Sequence, residues 1–132
     1  TILLVDDEQA VLKVAAEILH KLRFGVLAAD NGREALQLFQ EHRKDIVLVI
    51  LDIVMPGMGG SEVFQQLRNI APEVKVLLCS GYSLSGQATE ILDRGCDGFI
   101  QKPFDMVETF HSINVCDFMV RDFAVYLIHW VD

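Results

Sequence analysis

The chain has few basic residues and few cysteines, which argues against a nucleic-acid-binding protein, a disulfide-rich protein and a zinc-binding protein. It contains 11 Lys and Arg against 19 Asp and Glu, which gives a formal net charge of −8 at pH 7. Because a nucleic-acid surface needs clustered basic side chains to neutralise phosphates, this balance argues against direct nucleic-acid binding. The three cysteines form no C-x-x-C pair, so neither a disulfide framework nor a zinc site is expected, and a reducing cytoplasm is the favoured compartment.

Long apolar runs are also missing. No segment reaches the roughly 18 consecutive apolar residues of a membrane-spanning helix, so we expect this segment to make no membrane contact. With 132 residues, 52% of them hydrophobic, the chain can bury one sizeable core, and one compact domain is predicted. The chain opens on Thr1 rather than Met, from which we expect a segment of a longer protein.

Short apolar segments alternate with segments of helical periodicity. The predicted strands are 2–5, 26–29, 46–51, 74–79 and 98–101, and the predicted helices are 9–22, 31–41, a segment after 60 and a weaker one around 88–92. This alternation predicts right-handed crossovers and a five-stranded parallel sheet with helices on both faces. The expected fold class is therefore doubly wound α/β, with the flavodoxin-like strand order 2-1-3-4-5.

Polar residues follow several of these strands, at the point where each strand ends. Asp6 and Asp7 follow the first strand, Asp52 the third, Ser80 the fourth and Lys102 the fifth. The carboxyl ends of parallel strands lie on one edge of a sheet, where the sites of such folds are found. We therefore expect these five residues to form one site.

Three neighbouring carboxylates repel one another, so they must either raise a pKa or bind a cation. Mg²⁺ suits Asp6, Asp7 and Asp52, because it prefers carboxylate oxygens together with water and phosphate oxygens. Asp52 could then accept a phosphoryl group, with a positive charge from Lys102 and a hydroxyl from Ser80. Simpler interpretations exist for each residue, since an Asp pair can cap a helix, Lys102 can be a solvated loop residue and Ser80 a turn former.

Four motifs carry a resemblance to a known family. They are Leu-Val-Asp-Asp-Glu at 4–8, Leu-Asp-Ile-Val-Met-Pro-Gly-Met-Gly-Gly at 51–60, Ser-Gly-Tyr-Ser at 80–83 and Lys-Pro-Phe at 102–104. Over about residues 2–113 the chain resembles the receiver domain of two-component response regulators. The resemblance implies that Asp52 is the phosphoacceptor, and that Ser80 and Lys102 contact the phosphoryl group. It also implies an Mg²⁺ site formed by carboxylates and a backbone carbonyl: Asp6, Asp7, Asp52 and Val54.

The same resemblance implies a role in phosphorelay signal transduction. The phosphoryl donor would be a histidine kinase or a histidine phosphotransfer domain, and the domain would catalyse only its own phosphorylation and dephosphorylation. On phosphorylation, Ser80 would move inward and Phe99, at the aromatic switch position, would turn into the space it leaves. The surface formed by helix 4, strand 5 and helix 5, the helix that follows strand 5 in the chain, would then change. The motifs around Ser80 and Lys102 resemble receivers of hybrid sensor histidine kinases, whose parent protein could be membrane-anchored.

Two alternative functions remain at this point. An aspartate-nucleophile phosphatase would use the same chemistry, but it usually has a second Asp two residues after the nucleophile, where this chain has Val54. A receiver-like module that is never phosphorylated would only bind partners. The complete set of acidic, hydroxyl and lysine residues favours phosphoryl acceptance.

Residues 114–132 are more apolar than the end of a typical receiver domain, so we divide the chain into a receiver domain, 1–113, and a C-terminal extension. The extension could be a helix or a strand. It either packs on the core of the domain or forms a dimer or partner surface, since large apolar patches seldom stay exposed on monomers.

Overall fold

The computed structural model describes residues 1–80, 90–91 and 93–102. Several sequence-based predictions concern residues outside these ranges. They are the body of the fourth helix, the Gly/Ser-rich stretch after Ser80, the residues from 103 onward and the extension 114–132.

The described residues form a parallel sheet and three complete helices. The elements are β1 (Ile2–Val5), α1 (Gln9–Lys21), β2 (Val26–Ala29), α2 (Gly32–Glu41), β3 (Leu48–Asp52), α3 (Gly60–Ile70), β4 (Val76–Ser80) and β5 (Gly98–Gln101). The strands lie in the order β2-β1-β3-β4-β5, and every neighbouring pair is parallel. The predicted fold class and strand order are therefore confirmed.

Both faces of the sheet are covered, because successive strand residues point to opposite sides. On one face, α1 packs through residues that include Leu12, Ala15 and Leu19 against strand residues that include Leu4 and Ile50. On the other face, α2 and α3 contribute the second core, whose helix residues include Ala35, Phe39, Val63, Phe64 and Leu67. The continuous apolar runs of β1, β3 and β4 follow from burial on both faces.

The central strands begin and end later than predicted. The sequence placed them at 46–51 and 74–79, whereas β3 is Leu48–Asp52 and β4 is Val76–Ser80. The backbone N–H of Ile46 donates to the carbonyl of His42 at 3.1 Å, and that of Val74 donates to Ala71 at 3.1 Å, so both residues belong to turns. Their apolar side chains reflect burial beneath those turns and not strand pairing.

The start of α3 is held close to the end of β3. Gly59 is the N-cap of α3 and, because it has no side chain, makes no side-chain cap hydrogen bond. A Cβ atom on Gly60 would lie 2.6 Å from the carbonyl oxygen of Asp52 and 2.7 Å from the Cα of Ile53. Only a glycine allows this approach, which fixes the backbone directly after Asp52. Within the described residues, no helix has the length and apolar character needed to cross a membrane.

Candidate functional site

The register of the sheet brings two aspartates together at the carboxyl ends of the strands. β1 and β3 pair Val5 with Leu51, so the next residues, Asp6 and Asp52, lie side by side. Asp6 is 3% exposed and Asp52 is 4% exposed, and with Ser80 they are the buried polar residues of the described chain. Buried carboxylates require partners, because an unpaired buried charge is costly.

Lys102 supplies the positive charge between these carboxylates. Its Nζ atom lies 2.6 Å from Oδ2 of Asp6 and 3.4 Å from Oδ1 of Asp52. Burial lowers the pKa of Lys102, but the contact with Asp6 and the charge of Asp52 outweigh that effect and raise the pKa overall. Lys102 is therefore charged and directed into the site, which excludes the interpretation of a freely solvated loop lysine.

The two oxygens of Asp6 have different surroundings. Oδ1 accepts a hydrogen bond of 2.9 Å from the backbone N–H of Glu8, which orients the carboxylate. Oδ2 is buried and lies 2.6 Å from Nζ of Lys102, which donates to it. The N-cap of α1 is Glu8, without a side-chain cap bond, so neither Asp6 nor Asp7 caps that helix. A cation that binds Asp6 would therefore share Oδ2 with Lys102 or displace the ammonium group from it.

Asp52 is harder to ionise than an ordinary aspartate. Burial is the largest cause and the negative charge of Asp6 adds to it, so that the pKa of Asp52 is raised from 3.8 to about 6. The charge and hydrogen bond of Lys102 and a hydrogen bond from the Val54 backbone act in the opposite direction. A cation placed beside both carboxylates would relieve the repulsion that raises this pKa.

Not every predicted residue joins this cluster. The metal-ligand atoms that the structure brings within 4.8 Å of one another, among the described residues, belong to Asp6, Asp52 and Cys79. Asp7 is exposed and lies outside that group, and the side chain of Val54 is 59% exposed. The metal-binding roles of Asp7 and of the Val54 carbonyl remain predictions.

Cys79 is the site residue that the sequence analysis missed. It pairs with Asp52 in the register of β3 and β4, so the two side chains point to the same face of the sheet. Burial, together with the negative charge of Asp52, strongly raises the pKa of the Cys79 thiol. The position of Cys79 directly before Ser80 places it near the end of its strand in the sequence. Only the register of β3 and β4, however, shows that its side chain faces Asp52.

The predicted switch residues lie on the other face of the sheet. Phe99 pairs with Leu78, so Phe99 and Ser80 point to the same side. Phe99 is half-buried and packs against the core that contains Leu78. The carbonyl of Ser80 accepts a 2.8 Å hydrogen bond from the backbone N–H of Lys102, which ties the ends of β4 and β5 together.

The residues present fit a hard divalent cation. Two buried carboxylates carry a charge of −2 against the +1 of Lys102, so one negative charge of the site has no counter-charge from this lysine. Oxygen donors of this kind are the ligands that Mg²⁺ prefers, whereas a thiol is not. Asp6 and Asp52 could therefore hold Mg²⁺, and the positive charge of Lys102 would remain for an anionic group.

Comparisons with known families, sequences and solved structures identify relatives of this chain. The response regulator receiver domain family matches residues 2–114. The chemotaxis protein CheY of Bacillus subtilis is 32% identical over 114 residues, which are 86% of this chain and 93% of CheY. The sensor kinase CckA of Brucella abortus is 34% identical over 106 residues, and the match covers 80% of this chain but 11% of CckA. The solved response regulator TrrA of Thermotoga maritima, in complex with Mg²⁺-BeF, has a TM-score of 0.77 and 31% identity, with 87% of this chain and 96% of that chain covered.

Proposed function

The chain belongs to the response regulator receiver domain family, and we propose that Asp52 accepts a phosphoryl group from a phosphohistidine in an Mg²⁺-dependent reaction. The donor would be a histidine kinase or a histidine phosphotransfer domain. The observation that carries this proposal is the convergence of the Asp6 and Asp52 carboxylates on the Nζ atom of Lys102. TrrA, solved with Mg²⁺-BeF, supports it by likeness.

The proposed step is a transfer between two nucleophiles. A carboxylate oxygen of Asp52 attacks the phosphorus, an O–P bond forms, and the P–N bond breaks so that the imidazole leaves with the bonding electron pair. The attack requires the ionised form of Asp52. Since its pKa is about 6, about nine-tenths of the carboxyl groups are ionised at pH 7.

The residues around Asp52 act by position and charge. Lys102 already contacts the Asp52 carboxylate at 3.4 Å, so its ammonium group would neutralise an oxygen of the phosphoryl group attached there. The Ser80 hydroxyl would donate a hydrogen bond to another oxygen. When bound, Mg²⁺ would supply further positive charge to the carboxylates and the phosphoryl oxygens, with Asp6, Asp7, Asp52 and the Val54 carbonyl as its protein ligands.

We propose that the signal leaves the site through Ser80 and Phe99. A phosphoryl group on Asp52 adds negative charge and strong hydrogen-bond acceptors, which would draw Ser80 inward. Phe99 shares its face of the sheet and is half-buried, so it can turn into the space that Ser80 leaves. The surface of helix 4, β5 and helix 5 would then change. Hydrogen exchange of residues 83–101, with and without beryllofluoride and Mg²⁺, tests this step, and unchanged protection would contradict it.

We also propose that the domain comes from a hybrid sensor kinase and that residues 114–132 form an extension to it. The match to CckA, of which this chain spans 11% of the length, supports a receiver from a hybrid sensor kinase. A cytoplasmic location of the domain is part of the proposal. We keep the division into a receiver domain, 1–113, and an extension, 114–132. Measuring the molecular size of the full chain and of a chain ending at Ile113 separates the two interpretations of the extension. A dimer that becomes a monomer on truncation indicates an interface, and a monomer in both cases indicates packing on the core.

The phosphoryl transfer itself can be tested by mass. The full chain is incubated with acetyl phosphate and Mg²⁺, and the intact mass is measured for the wild type and for Asp52→Asn. We expect the wild type to gain one phosphoryl group, and to gain none after Mg²⁺ is removed with EDTA. Asp52→Asn should gain none under either condition. A folded wild type that never gains phosphate would favour the module that only binds partners, and steady hydrolysis of p-nitrophenyl phosphate would favour the phosphatase.

A further inference from the structure

A buried cysteine completes a set of three metal-ligand side chains beside the phosphoacceptor. The Sγ atom of Cys79 and carboxylate oxygens of Asp6 and Asp52 lie within 4.8 Å of one another. Cys79 is 1% exposed, and the two aspartates are 3% and 4% exposed. We propose that these three side chains bind a thiophilic divalent cation such as Zn²⁺ in place of Mg²⁺, and that this ion prevents phosphoryl transfer to Asp52. The inhibition of phosphoryl transfer rests on the proposed function of Asp52, whereas the binding of the metal does not.

The strand register explains why the thiol faces the carboxylates. Cys79 pairs with Asp52 across β3 and β4, and Asp6 follows the β1 residue that pairs with Leu51. Residues in register on parallel strands point to the same face, so all three side chains converge on the face covered by α1. The arrangement is therefore fixed by the backbone of the central strands.

The distances suit one small ion. Zinc lies about 2.3 Å from a sulfur and about 2.0 to 2.2 Å from a carboxylate oxygen, so in its usual tetrahedral coordination two ligand atoms are about 3.4 to 3.7 Å apart. The three atoms here lie within 4.8 Å of one another, so the side chains would have to close by up to roughly 1 Å around the ion. A small cavity of about 10 Å³ is lined in part by Cys79 and Asp6.

The charges favour a thiophilic ion over Mg²⁺ for this set. Once the thiol releases its proton to solvent, the three ligands carry a charge of −3, which one divalent ion and the ammonium of Lys102 balance. Oδ2 of Asp6 is buried and lies 2.6 Å from Nζ of Lys102, and it supplies an oxygen ligand that the ion would share with that ammonium group. Mg²⁺ would bind the two carboxylates and leave the sulfur unused, whereas Zn²⁺ and Cd²⁺ bind thiolates strongly.

The simpler interpretation is that Cys79 only fills space. Free cysteines are among the most buried residues, and the apolar side chains around Cys79 are consistent with packing alone. The two interpretations differ in whether the sulfur bonds to a metal. This difference can be measured directly, without any assay of phosphorylation.

The first experiment is a Cd²⁺ titration of the full chain in which Cys96 and Cys116 are both replaced by Ala, in the presence of Mg²⁺. Cys79 is then the only cysteine of the three in the sequence. We expect the ultraviolet charge-transfer band of a cadmium thiolate, saturating at one Cd²⁺ per chain. Adding Asp6→Asn should weaken Cd²⁺ binding by roughly tenfold or more, because it removes a ligand. No band in the folded single-cysteine chain would overturn the proposal.

A second measurement needs no further substitution. X-ray absorption spectroscopy of the same single-cysteine chain, loaded with one Zn²⁺, should show one sulfur at about 2.3 Å and oxygen neighbours at about 2.0 Å. A coordination shell of oxygen and nitrogen alone would overturn the proposed site.

The effect on Asp52 is tested last. Phosphoryl uptake from acetyl phosphate is measured at constant Mg²⁺ with increasing Zn²⁺, and each variant is compared with its own rate without Zn²⁺. Cys79→Ala, or Cys79→Ser if the alanine variant does not fold, should need at least about tenfold more Zn²⁺ for half inhibition. Equal sensitivity would overturn the inhibitory role. If the Zn²⁺-free wild type takes up no phosphate, the proposed function fails, and the metal site is judged by the spectra alone.

Discussion

The Nζ atom of Lys102 lies 2.6 Å from Oδ2 of Asp6, inside a site where the lysine side chain is 13% exposed and that of the aspartate is 4% exposed. An ion pair of this kind is costly to break from one side, because the remaining charge stays buried. Lys102 therefore stabilises the fold before any phosphoryl group arrives, since it lies between two carboxylates that would otherwise face each other.

The first prediction follows from this ion pair. In EDTA, Lys102→Met should lower the free energy of unfolding by roughly 2 to 3 kcal/mol, measured by urea denaturation. Mg²⁺ should restore more stability to this variant than to the wild type, because a second cation then balances Asp6 and Asp52. Lys102→Arg keeps the charge and serves as the control. A Lys102→Met variant as stable as the wild type would show that the ion pair contributes nothing to the fold.

The second prediction is that removing the charge of Asp52 stabilises the fold, whereas removing the charge of Lys102 destabilises it. The pKa of Asp52 is raised from 3.8 to about 6, so the folded state holds its proton more tightly than the unfolded state does. The stability that this proton contributes is fully present below about 3.8 and is lost as the pH rises through about 6. At pH 7 without Mg²⁺, the ionised carboxylate therefore destabilises the fold. Asp52→Asn should raise the free energy of unfolding by roughly 1 to 2 kcal/mol, after allowance for solvent screening.

The control for this measurement is Asp7→Asn. Asp7 is the neighbouring acid but is exposed, so its substitution should change stability by less than about 0.5 kcal/mol in EDTA. Repeating the comparison of Asp52→Asn with the wild type at pH 4 should nearly abolish the difference, because the wild-type carboxyl is then mostly protonated. A destabilised Asp52→Asn at pH 7 would contradict the direction of the pKa shift.

Much of the site could be predicted from sequence because it depends on strand ends. Continuous apolar runs buried on both faces mark the central strands, and Asp6 and Asp52 come at the ends of such runs, whereas Lys102 follows the short strand β5. The predicted starts of β3 and β4 were wrong, because Ile46 and Val74 are apolar residues that are buried in turns and do not belong to the strands. Apolar character reports burial, while strand pairing also depends on hydrogen bonds that the sequence does not show.

The position of Cys79 could not be predicted in the same way. Within an apolar run, the choice of which residue faces a neighbouring aspartate depends on the register between β3 and β4. A shift of one residue would direct the Leu78 side chain toward Asp52 and turn Cys79 to the opposite face. The exposure of Asp7 is a similar case, because two adjacent acids after a strand give no indication of which one turns inward.

The third prediction concerns the pH dependence of phosphorylation. The nucleophile is the ionised carboxylate, so the rate of phosphoryl uptake should fall as the pH is lowered, with a midpoint at or below about 6. More Mg²⁺ should move the midpoint lower, because a bound cation favours the carboxylate. Acetyl phosphate and phosphoramidate are compared as donors, because their phosphate groups have different pKa values whereas the pKa of Asp52 is the same in both reactions. A midpoint that follows the donor and ignores Mg²⁺ would contradict this assignment.

The fourth prediction concerns the glycine that follows the phosphoacceptor strand. Alanine normally stabilises a helix relative to glycine by up to about 1 kcal/mol, and Gly60 is the first residue of α3. A Cβ on Gly60 would lie 2.6 Å from the carbonyl oxygen of Asp52, so the strand end or the helix must move. Gly60→Ala should therefore lose roughly 2 kcal/mol of stability and slow phosphoryl uptake, because Asp52 is displaced. Gly59→Ala is the matched control, since its Cβ would lie 4.0 Å from the nearest atom, the Ile53 carbonyl oxygen. It should lose only the roughly 0.5 to 1 kcal/mol by which alanine is a poorer N-cap than glycine, and it should leave phosphoryl uptake unchanged. Equal effects of the two substitutions in thermal unfolding and in phosphoryl uptake would show that the close contact at Gly60 does not position Asp52.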